Sequence, residues 1–300
     1  MDALHALLQH SIDYAGLFPP AGLDMASAVR NYASYRESPD AWALGRFVVP
    51  ANRLQEFEAA AADVLPAAPG AAPWRLSALL GPALPTEVKT VGEFNCRLAA
   101  NGAPAAVVDV VELKADSADM IGPATGQLPR QLQPYIEIPI DREPVHLVSA
   151  IGKSGTRAKV RTGGVTPDAF PRTADLVRFI QRCVGHGVPF KATAGLHHPL
   201  RAEYRLTYAP NSASAPMFGF LNLFLTAGFI RAGLAENDVA RLLVEGSIEA
   251  IQFGSEAVTW QGHRLDLEHI GRTRRETIMA FGSCSFTEPI ADLRALGLLQ

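Results

Sequence analysis

Short runs of apolar and β-branched residues alternate with longer segments of helical periodicity along most of the chain. The runs lie at residues 46–49, 75–80, 106–113, 135–140, 157–161, 188–193, 248–253 and 279–283. Most neighbouring runs begin 22 to 31 residues apart, which is the length that a strand, a crossover helix and two loops require. Eight such units predict an α/β chain folded as a single (β/α)8 barrel of the TIM type.

The segments between the runs carry the apolar stripe of amphipathic helices. After residues 157–161, for example, Leu176, Val177, Ile180 and Val184 lie on one side of a helix that begins near Thr173. An open, doubly wound sheet is the alternative arrangement of such units. No GxGxxG turn follows the first run, so the commonest nucleotide-binding use of that fold is excluded.

Two segments do not follow the strand–helix repeat. Residues 1–43 predict a helical extension packed on the barrel, which gives a division into an extension at 1–43 and a catalytic barrel at 44–300. Between the sixth and seventh runs, a long loop–helix insertion holds residues 197–216 without clear periodicity and an apolar helix at 217–233. A loop of that length typically serves as a lid or a binding loop.

Two smaller patterns belong to the same insertion. The helix at 217–233 is apolar nearly all round, which fits either a buried element or a homodimer interface. It lies at the lower limit of length for a transmembrane span, and a buried helix is favoured. Further on, residues 258–265 predict a small hairpin centred on Gln261 and Gly262.

Charge and cysteine usage narrow the range of functions. The chain has 27 Lys+Arg against 30 Asp+Glu, a net charge of −3, which gives no indication of nucleic acid or a membrane as a partner. The three cysteines are widely spaced and form no CxxC pair, which argues against a disulfide framework. The first residues lack the basic and apolar regions of a signal peptide. Together these features predict a cytoplasmic protein.

Charged side chains recur at alternate positions of three neighbouring strands, and alternate residues of a barrel strand point inward. Lys159 and Arg161 share one face of the strand at 157–161. Lys191 and Thr193 share one face of the next strand, and Glu137 lies on the inward face of the preceding one. Since only five of the 27 cationic residues are lysines, two lysines inside neighbouring strands indicate a need for an amine.

The strand at 106–113 offers two acidic candidates, Asp109 and Glu112. They are three residues apart and therefore point to opposite faces of a regular strand. Only one of them faces the barrel interior unless a β-bulge shifts the register. We expect Glu137 and one of these two carboxylates to act as acid/base groups.

The balance of charge on the inward faces predicts an anionic substrate. Lys159, Arg161 and Lys191 outnumber the inward carboxylate Glu137, and surplus positive charge in a closed barrel mouth is costly unless an anion binds there. Crowded cations also favour the neutral amine of a lysine, which can attack a carbonyl to form a Schiff base. Alternatively, these charged side chains form buried ion pairs that stabilise the barrel and have no catalytic role.

Four short motifs resemble those of the class I deoxyribose-phosphate aldolases. Residues 158–164 (AKVRTGG) look like the Schiff-base strand of that family, and residues 190–195 (FKATAG) are similar to its next strand, whose lysine perturbs the first. Residues 108–111 (VDVV) resemble the strand with the acidic residue, and residues 282–285 (GSCS) the phosphate-binding turn. Segments 11–20 and 281–289 also resemble a bacterial (β/α)8-barrel family without an assigned function.

The resemblance implies a carbon–carbon lyase with Lys159 as the nucleophile and Lys191 as the residue that perturbs it. Arg161 stands where the aldolases have a small polar residue, so a substrate other than deoxyribose phosphate is expected. We expect the substrate, a small anionic metabolite with a carbonyl group, to contact these residues: Arg161, Thr162, Gly163, Thr193, His197, Gly282, Ser283 and Ser285.

Two other functions fit the same residues. A metal-dependent lyase or hydrolase would bind a divalent cation through His197 or His198 with barrel carboxylates, whereas the aldolase-like interpretation needs no metal or other cofactor. A non-catalytic barrel that binds an anion is the third interpretation.

Cys284 precedes a predicted helix and fits either a thiolate or a small buried residue in a turn. We favour the second and expect the backbone N–H groups of that turn to bind the anion.

Overall fold

Each barrel strand is a short apolar run, and most of them are followed by a helix that packs its apolar face on the barrel. The computed structural model describes residues 2–66, 68, 70–99 and 105–299. Within them the helices are α1 (Ala3–Leu8), α2 (Met25–Glu37), α3 (Leu54–Ala61), α4 (Leu84–Leu98), α5 (Ala118–Thr125), α6 (Val145–Lys153), α7 (Thr173–His186), α8 (Phe220–Arg231), α9 (Glu236–Leu243), α10 (Leu267–Glu276) and α11 (Thr287–Ala295).

The strands belong to one closed barrel and two small antiparallel sheets. They are β1 (Ile12–Tyr14), β2 (Leu44–Pro50), β3 (Trp74–Leu79), β4 (Ala106–Lys114), β5 (Gln133–Glu137), β6 (Arg157–Arg161), β7 (Phe190–Thr193), β8 (Ala202–Arg205), β9 (Ser214–Met217), β10 (Ile251–Phe253), β11 (Ala257–Trp260), β12 (His263–Asp266) and β13 (Ile278–Ser283).

The barrel consists of eight parallel strands, β1 to β7 and β13, and β1 closes it by pairing with both β2 and β13. This architecture confirms the predicted (β/α)8 fold and excludes the open sheet. Because the strands are parallel, all their carboxyl ends lie at one mouth, where the active sites of such barrels are built.

The first barrel strand lies where a helical extension was expected. Residues 1–43 contain α1 and α2, but also β1, so the barrel begins at Ile12 rather than at residue 44. Conversely, residues 248–253 are not a barrel strand: 248–250 form a 3-10 turn and β10 joins β11 and β12 in a small antiparallel sheet. The pattern misled because β1 has only three residues, with the charged Asp13 in the middle, whereas the segment 248–253 is twice as long.

The insertion after β7 is more ordered than its sequence indicated. Part of residues 197–216 forms an antiparallel hairpin of β8 and β9, and the predicted hairpin around Gln261 and Gly262 is confirmed as β11 and β12. Both turn residues of the second hairpin have positive φ, as a two-residue turn of the I′ type requires.

The apolar helix α8 is packed inside the chain. Residues 220–229 are all buried, and α8 packs against α7, α9, α10 and β13. The buried-element interpretation of this segment is therefore confirmed, and α8 leaves no broad apolar face for a homodimer. No helix in the described residues is both long and apolar enough to cross a lipid bilayer.

Candidate active site

Charged side chains from four barrel strands meet below the mouth. Glu137, Lys159 and Lys191 are direct neighbours in the register of β5, β6 and β7, so their side chains point inward at one level. Lys159 Nζ lies 2.7 Å from Glu112 Oε2 and 2.8 Å from Glu137 Oε2. Lys191 Nζ lies 2.8 Å from the other oxygen of Glu112. One carboxylate therefore joins both lysines.

Asp13 on β1 completes this buried network. Its Oδ2 accepts a hydrogen bond from Lys191 Nζ, and its Oδ1 accepts one from the backbone N–H of Arg46, 2.8 Å away. Residue 45 must be glycine for this contact, because a Cβ atom there would overlap Asp13 Oδ1. Ser77 Oγ donates to Glu112 Oε1 over 2.6 Å. The short strand β1 thus supplies the second partner of Lys191.

Burial and neighbouring charges act in opposite directions on three members of the network, Lys191, Glu112 and Glu137, and the charges prevail. Burial favours the neutral amine of Lys191, but the charges of Asp13 and Glu112 outweigh it and hold the pKa of Lys191 above its usual range. Burial opposes ionisation of Glu112 and Glu137 in the same way, yet the ammonium of Lys159 holds the pKa of both carboxyls below the usual value, with help from Lys191 at Glu112 and from Lys114 at Glu137.

Among the described residues of the barrel interior, positive charge is not in surplus, contrary to expectation. Lys159 and Lys191 face three carboxylates, namely Asp13, Glu112 and Glu137. The two lysines therefore need no bound anion to balance their charge: Asp13 and a second carboxylate on β4 and β5, neither of which the sequence-based charge count included, do so. Their positive charge is matched within the chain.

Arg161 is the cation that remains available at the mouth. It is exposed, and within the described residues its guanidinium forms no ion pair; its polar contact is a 3.4 Å hydrogen bond to the carbonyl of Gly163. Arg161 lines two neighbouring clefts, so the expectation of an anion at the mouth now rests on this side chain.

The smaller cleft leads to Lys159. It has a volume of about 230 Å³, and its lining includes five residues of barrel strands: Glu112, Lys159, Arg161, Thr193 and Gly282. The loops after several strands contribute further lining residues: Phe18, Pro19, Pro20, Gly164, Val165, Ala194, Gly195, His197 and Cys284. Lys191 lies beneath it and is 1% exposed. Of the two lysines, Lys159 is therefore the one that lines the cleft.

The larger cleft lies on the other side of Arg161. Its volume is about 720 Å³, and besides Arg161 its charged lining consists of Lys114, Asp116, Glu137, Asp141, Asp168, Arg172 and Asp175. Glu137 therefore lines this second cleft and also contacts Lys159. The two clefts meet at Arg161, which can contact a ligand in either one.

Asp109 does not join the lysines. It accepts hydrogen bonds from Arg46 at 2.7 and 2.9 Å and forms a second ion pair with Arg75, toward the amino end of its strand. The register of β3 and β4 shifts at this residue, from Leu76 opposite Val108 to Ser77 opposite Val110. Because of this β-bulge, Glu112 points inward and reaches the lysines. Asp109 was expected as a possible acid/base group, but it forms ion pairs with Arg46 and Arg75 instead.

Four of the expected substrate contacts have other roles. Thr162 is buried and its hydroxyl donates to the carbonyl of Ala194 over 2.6 Å. Gly163 packs against the ring of Phe170. Ser283 is the last residue of β13 and contacts His197, whereas Ser285 lies in the turn before α11 and its hydroxyl accepts a hydrogen bond from the N–H of Glu288. In contrast, Arg161, Thr193, His197 and Gly282 line the cleft.

The adjacent histidines point to different partners. His197 Nδ1 lies 3.2 Å from Ser283 Oγ, 3.4 Å from Glu288 Oε2 and 3.9 Å from Cys284 Sγ. His198 Nδ1 lies 2.6 Å from Asp292 Oδ2, with its ring stacked on Tyr204. The described residues contain no group of three or more His, Cys, Asp or Glu side chains arranged to hold a metal ion.

Sequence patterns did not indicate Ser77, Tyr208 or Glu288 as parts of the site, and for Asp13 they left open whether it reaches the mouth or plugs the lower end of the barrel. Asp13 lies on a strand too short to show alternation, and Ser77 is a small polar residue in an apolar run. Tyr208 OH lies 3.2 Å from Glu288 Oε2, but these residues are 80 positions apart, and only the path of the β8–β9 hairpin brings them together. The sequence carried a signal for Glu288 alone, since it is acidic in the first turn of a helix.

Comparison with known proteins gives little further information. No protein-family model matches the chain, and no curated protein matches its sequence. Among solved structures, a nitroalkane oxidase from Streptomyces ansochromogenes is similar at a TM-score of 0.34 and 12% identity, over 66% of this chain and 62% of that one. The chain thus spans less than two thirds of that protein, and no conclusion on activity follows from the likeness.

Proposed function

We propose that this protein is an enzyme that binds a small anionic carbonyl compound at the barrel mouth and forms a Schiff base with it through Lys159. The observation that carries the proposal is the position of Lys159, which lines the smaller cleft and has its amine between two carboxylates. The reaction class is carbon–carbon cleavage or formation of the aldolase type.

The carboxylates supply the proton transfers that this chemistry needs. The amine must lose a proton before it attacks the carbonyl carbon, and Glu112 and Glu137 are within 2.8 Å to accept it. Glu137 Oε2 is buried and lies 2.8 Å from the Lys159 amine, so it can take the proton directly from that amine. The same group can then protonate the departing hydroxyl as water leaves and the iminium forms.

The iminium then acts as the electron sink. When the carbon–carbon bond breaks, its electron pair moves toward the positively charged nitrogen and gives an enamine, which takes up a proton and is hydrolysed to release the product. Lys191 stays charged beneath Lys159 and repels added positive charge there, which favours loss of the Lys159 proton. Lys191 is accordingly a positioning residue rather than the nucleophile.

Arg161 defines the substrate class. Its exposed guanidinium between the two clefts suits a carboxylate or phosphate, which a planar guanidinium binds with paired hydrogen bonds. A cleft of about 230 Å³ suits a compound of only a few carbon atoms. We therefore propose a short oxo acid or a short phosphorylated aldehyde or ketone as the substrate.

Hydrogen exchange of the substrate tests this function without knowledge of the second reactant. The protein is incubated in D2O with pyruvate, 2-oxobutyrate, acetaldehyde and dihydroxyacetone phosphate, and loss of protons next to the carbonyl is followed by NMR. An enamine at Lys159 predicts exchange with at least one compound. Lys159→Arg should reduce its rate by about 100-fold or more, whereas Lys153→Arg, at an exposed helix end, should not change it.

Other outcomes would contradict the proposal. Exchange that survives Lys159→Arg but stops on addition of a chelator would favour the metal-dependent alternative. Binding of one of these compounds without any exchange, with equal affinity in Lys159→Met, would favour the non-catalytic barrel. Absence of both binding and exchange with all four compounds would also count against a carbonyl substrate of this size.

A further inference from the structure

A second reactive group opens into the smaller cleft, about where the substrate would sit. Cys284 lies between the end of β13 and the start of α11, and its side chain lines the same cleft as Lys159. Its Sγ is 3.9 Å from His197 Nδ1 and 3.6 Å from Tyr208 OH. The function proposed above does not use this cysteine.

His197 has the surroundings of an imidazolium. Burial disfavours its charge, but Cys284 and Glu288 on the same side of the ring outweigh burial and raise the pKa of His197 to about 9. Glu288 Oε2 lies 3.4 Å from Nδ1, and burial of Glu288 is likewise outweighed by His197, which lowers its pKa. At neutral pH the ring is therefore a proton donor beside the thiol.

The thiol is correspondingly favoured as a thiolate. Burial opposes the charge of Cys284, but the hydrogen bond and charge of His197, followed by the hydroxyl of Tyr208, outweigh it and lower the pKa of the thiol. Glu288 is the opposing anion in this cluster, and its charge is shared with His197 and Tyr208. A cysteine beside an imidazolium and open to a cleft is the usual setting of a nucleophilic thiolate.

The other two cysteines provide internal references. Cys183 is fully buried on α7, and burial alone raises its pKa well above the usual value. Cys96 is exposed on α4. Neither has a histidine partner among its described contacts, so only Cys284 combines a cleft with an acid/base group.

We propose that Cys284 is a nucleophilic thiolate that, with His197, adds to the carbonyl carbon of a small aldehyde in the cleft. The sulfur donates an electron pair to form the C–S bond, the C=O π pair moves to oxygen, and the imidazolium of His197 gives its proton to that oxygen. The product is a hemithioacetal, and no oxidant or reductant is needed. This step requires the cleft and the Cys284–His197 pair, and it does not depend on Lys159.

Alkylation rates test the thiolate directly. With iodoacetamide at about pH 7, followed by peptide mass spectrometry of the folded protein, Cys284 should react about fivefold faster than the exposed Cys96, although its side chain is buried. It should keep much of its rate near pH 6, where the rate at Cys96 falls. His197→Gln should abolish both the faster alkylation of Cys284 and its weaker dependence on pH. Tyr208→Phe, at the exposed hairpin tip, should reduce both effects.

Slower alkylation of Cys284 than of Cys96 at every pH would overturn the thiolate. Since His197→Gln can fail to fold, the pH profile of the unchanged protein is sufficient to decide this point. The ligand class is tested by protection: acetaldehyde should slow alkylation of Cys284 but not of Cys96, both in the unchanged protein and in Lys159→Met. Protection that disappears in Lys159→Met would mean that the aldehyde occupies the lysine, and would contradict the hemithioacetal.

Discussion

Lys191 is the most deeply buried charge of the network, with 1% of its surface exposed and two carboxylates in contact. A buried ion pair contributes little net stability because desolvation of the charges offsets their attraction. Removal of one partner lowers the free energy of unfolding strongly, because it leaves an unmatched charge in the interior. The network is therefore sensitive to the loss of any single member.

Replacement of Lys191 by Met should destabilise the protein by about 3–5 kcal/mol, because Asp13 and Glu112 lose their common cation. Urea denaturation measures this change in the free energy of unfolding. The matched control is Lys153→Met, at an exposed helix end, which should change stability by less than about 0.5 kcal/mol. Equal, small effects of the two substitutions would show that Lys191 is not held as described.

The carboxylates of the network should also shape the response to acid. The pKa of Glu112 is lower in the folded protein than in the unfolded chain, because Lys159 and Lys191 outweigh burial. Its ionised form therefore contributes stability above the unfolded value of about 4.3, and the contribution is lost as pH falls below that value. Between about pH 6 and pH 3, unfolding midpoints of Glu112→Gln should fall less steeply than those of the unchanged protein; parallel profiles would contradict this assignment.

At the residue scale, strand alternation predicted part of the site. It correctly assigned Glu137, Lys159, Arg161 and Lys191 to inward faces, because their strands are regular. It could not choose between Asp109 and Glu112, since the deciding feature is a bulge that depends on the pairing of β3 with β4.

At the element scale, the connection after β7 directs side chains over the mouth. Ala194 and Gly195 both have positive φ, a conformation that costs free energy for alanine and is found often at functional sites. The chain turns there and brings His197 to the cleft, and the β8–β9 hairpin then carries Tyr208 to Cys284. The hairpin has its own small apolar cluster, formed by Leu206, Ala215 and Met217.

We predict that this hairpin opens more readily than the barrel. A two-stranded sheet with a small apolar cluster is only marginally stable, so its amides should exchange with deuterium faster than those of β7 and β13, which flank the insertion. Hydrogen–deuterium exchange followed by mass spectrometry measures both. Equal protection of β8–β9 and the flanking barrel strands would exclude a mobile lid.

Helices and hairpins with strong local signals were predictable, and short strands were not. The apolar stripe gave α7, and Gln261 with Gly262 gave the β11–β12 turn. Residues 248–253 have the composition of a barrel strand, but 248–250 form a 3-10 turn and 251–253 lie at the edge of a small sheet. Composition describes how apolar a strand is, whereas its place in a sheet depends on contacts distant in sequence.

At the scale of the whole molecule, β1 closes the barrel and delivers Asp13 to the network. It is the strand between β13 and β2, and Ile12 and Tyr14 are buried in the core. The first 43 residues are thus partly intrinsic to the barrel and are not an added extension alone. Sequence patterns predicted the fold but missed its first strand.

Two truncations separate these roles. A chain that begins at residue 11 lacks α1 but keeps β1, whereas a chain that begins at residue 16 lacks both. We expect the first to unfold cooperatively at a lowered Tm and the second to show no cooperative transition, because an open barrel leaves β2 and β13 unpaired and Lys191 without Asp13. Circular dichroism during heating measures both; similar cooperative transitions would contradict closure by β1.

The central claim is that the amine of Lys159 receives a carbonyl carbon, and hydride trapping tests it most directly. The protein is incubated with the carbonyl compounds named above, reduced with borohydride and digested, and any adduct is assigned among the five lysines by mass spectrometry. We predict an adduct on Lys159, because this lysine lines the cleft, with none in Lys159→Arg and an unchanged yield in Lys153→Arg. An adduct on Lys191 in place of Lys159, or no adduct with any of these compounds, would contradict the account.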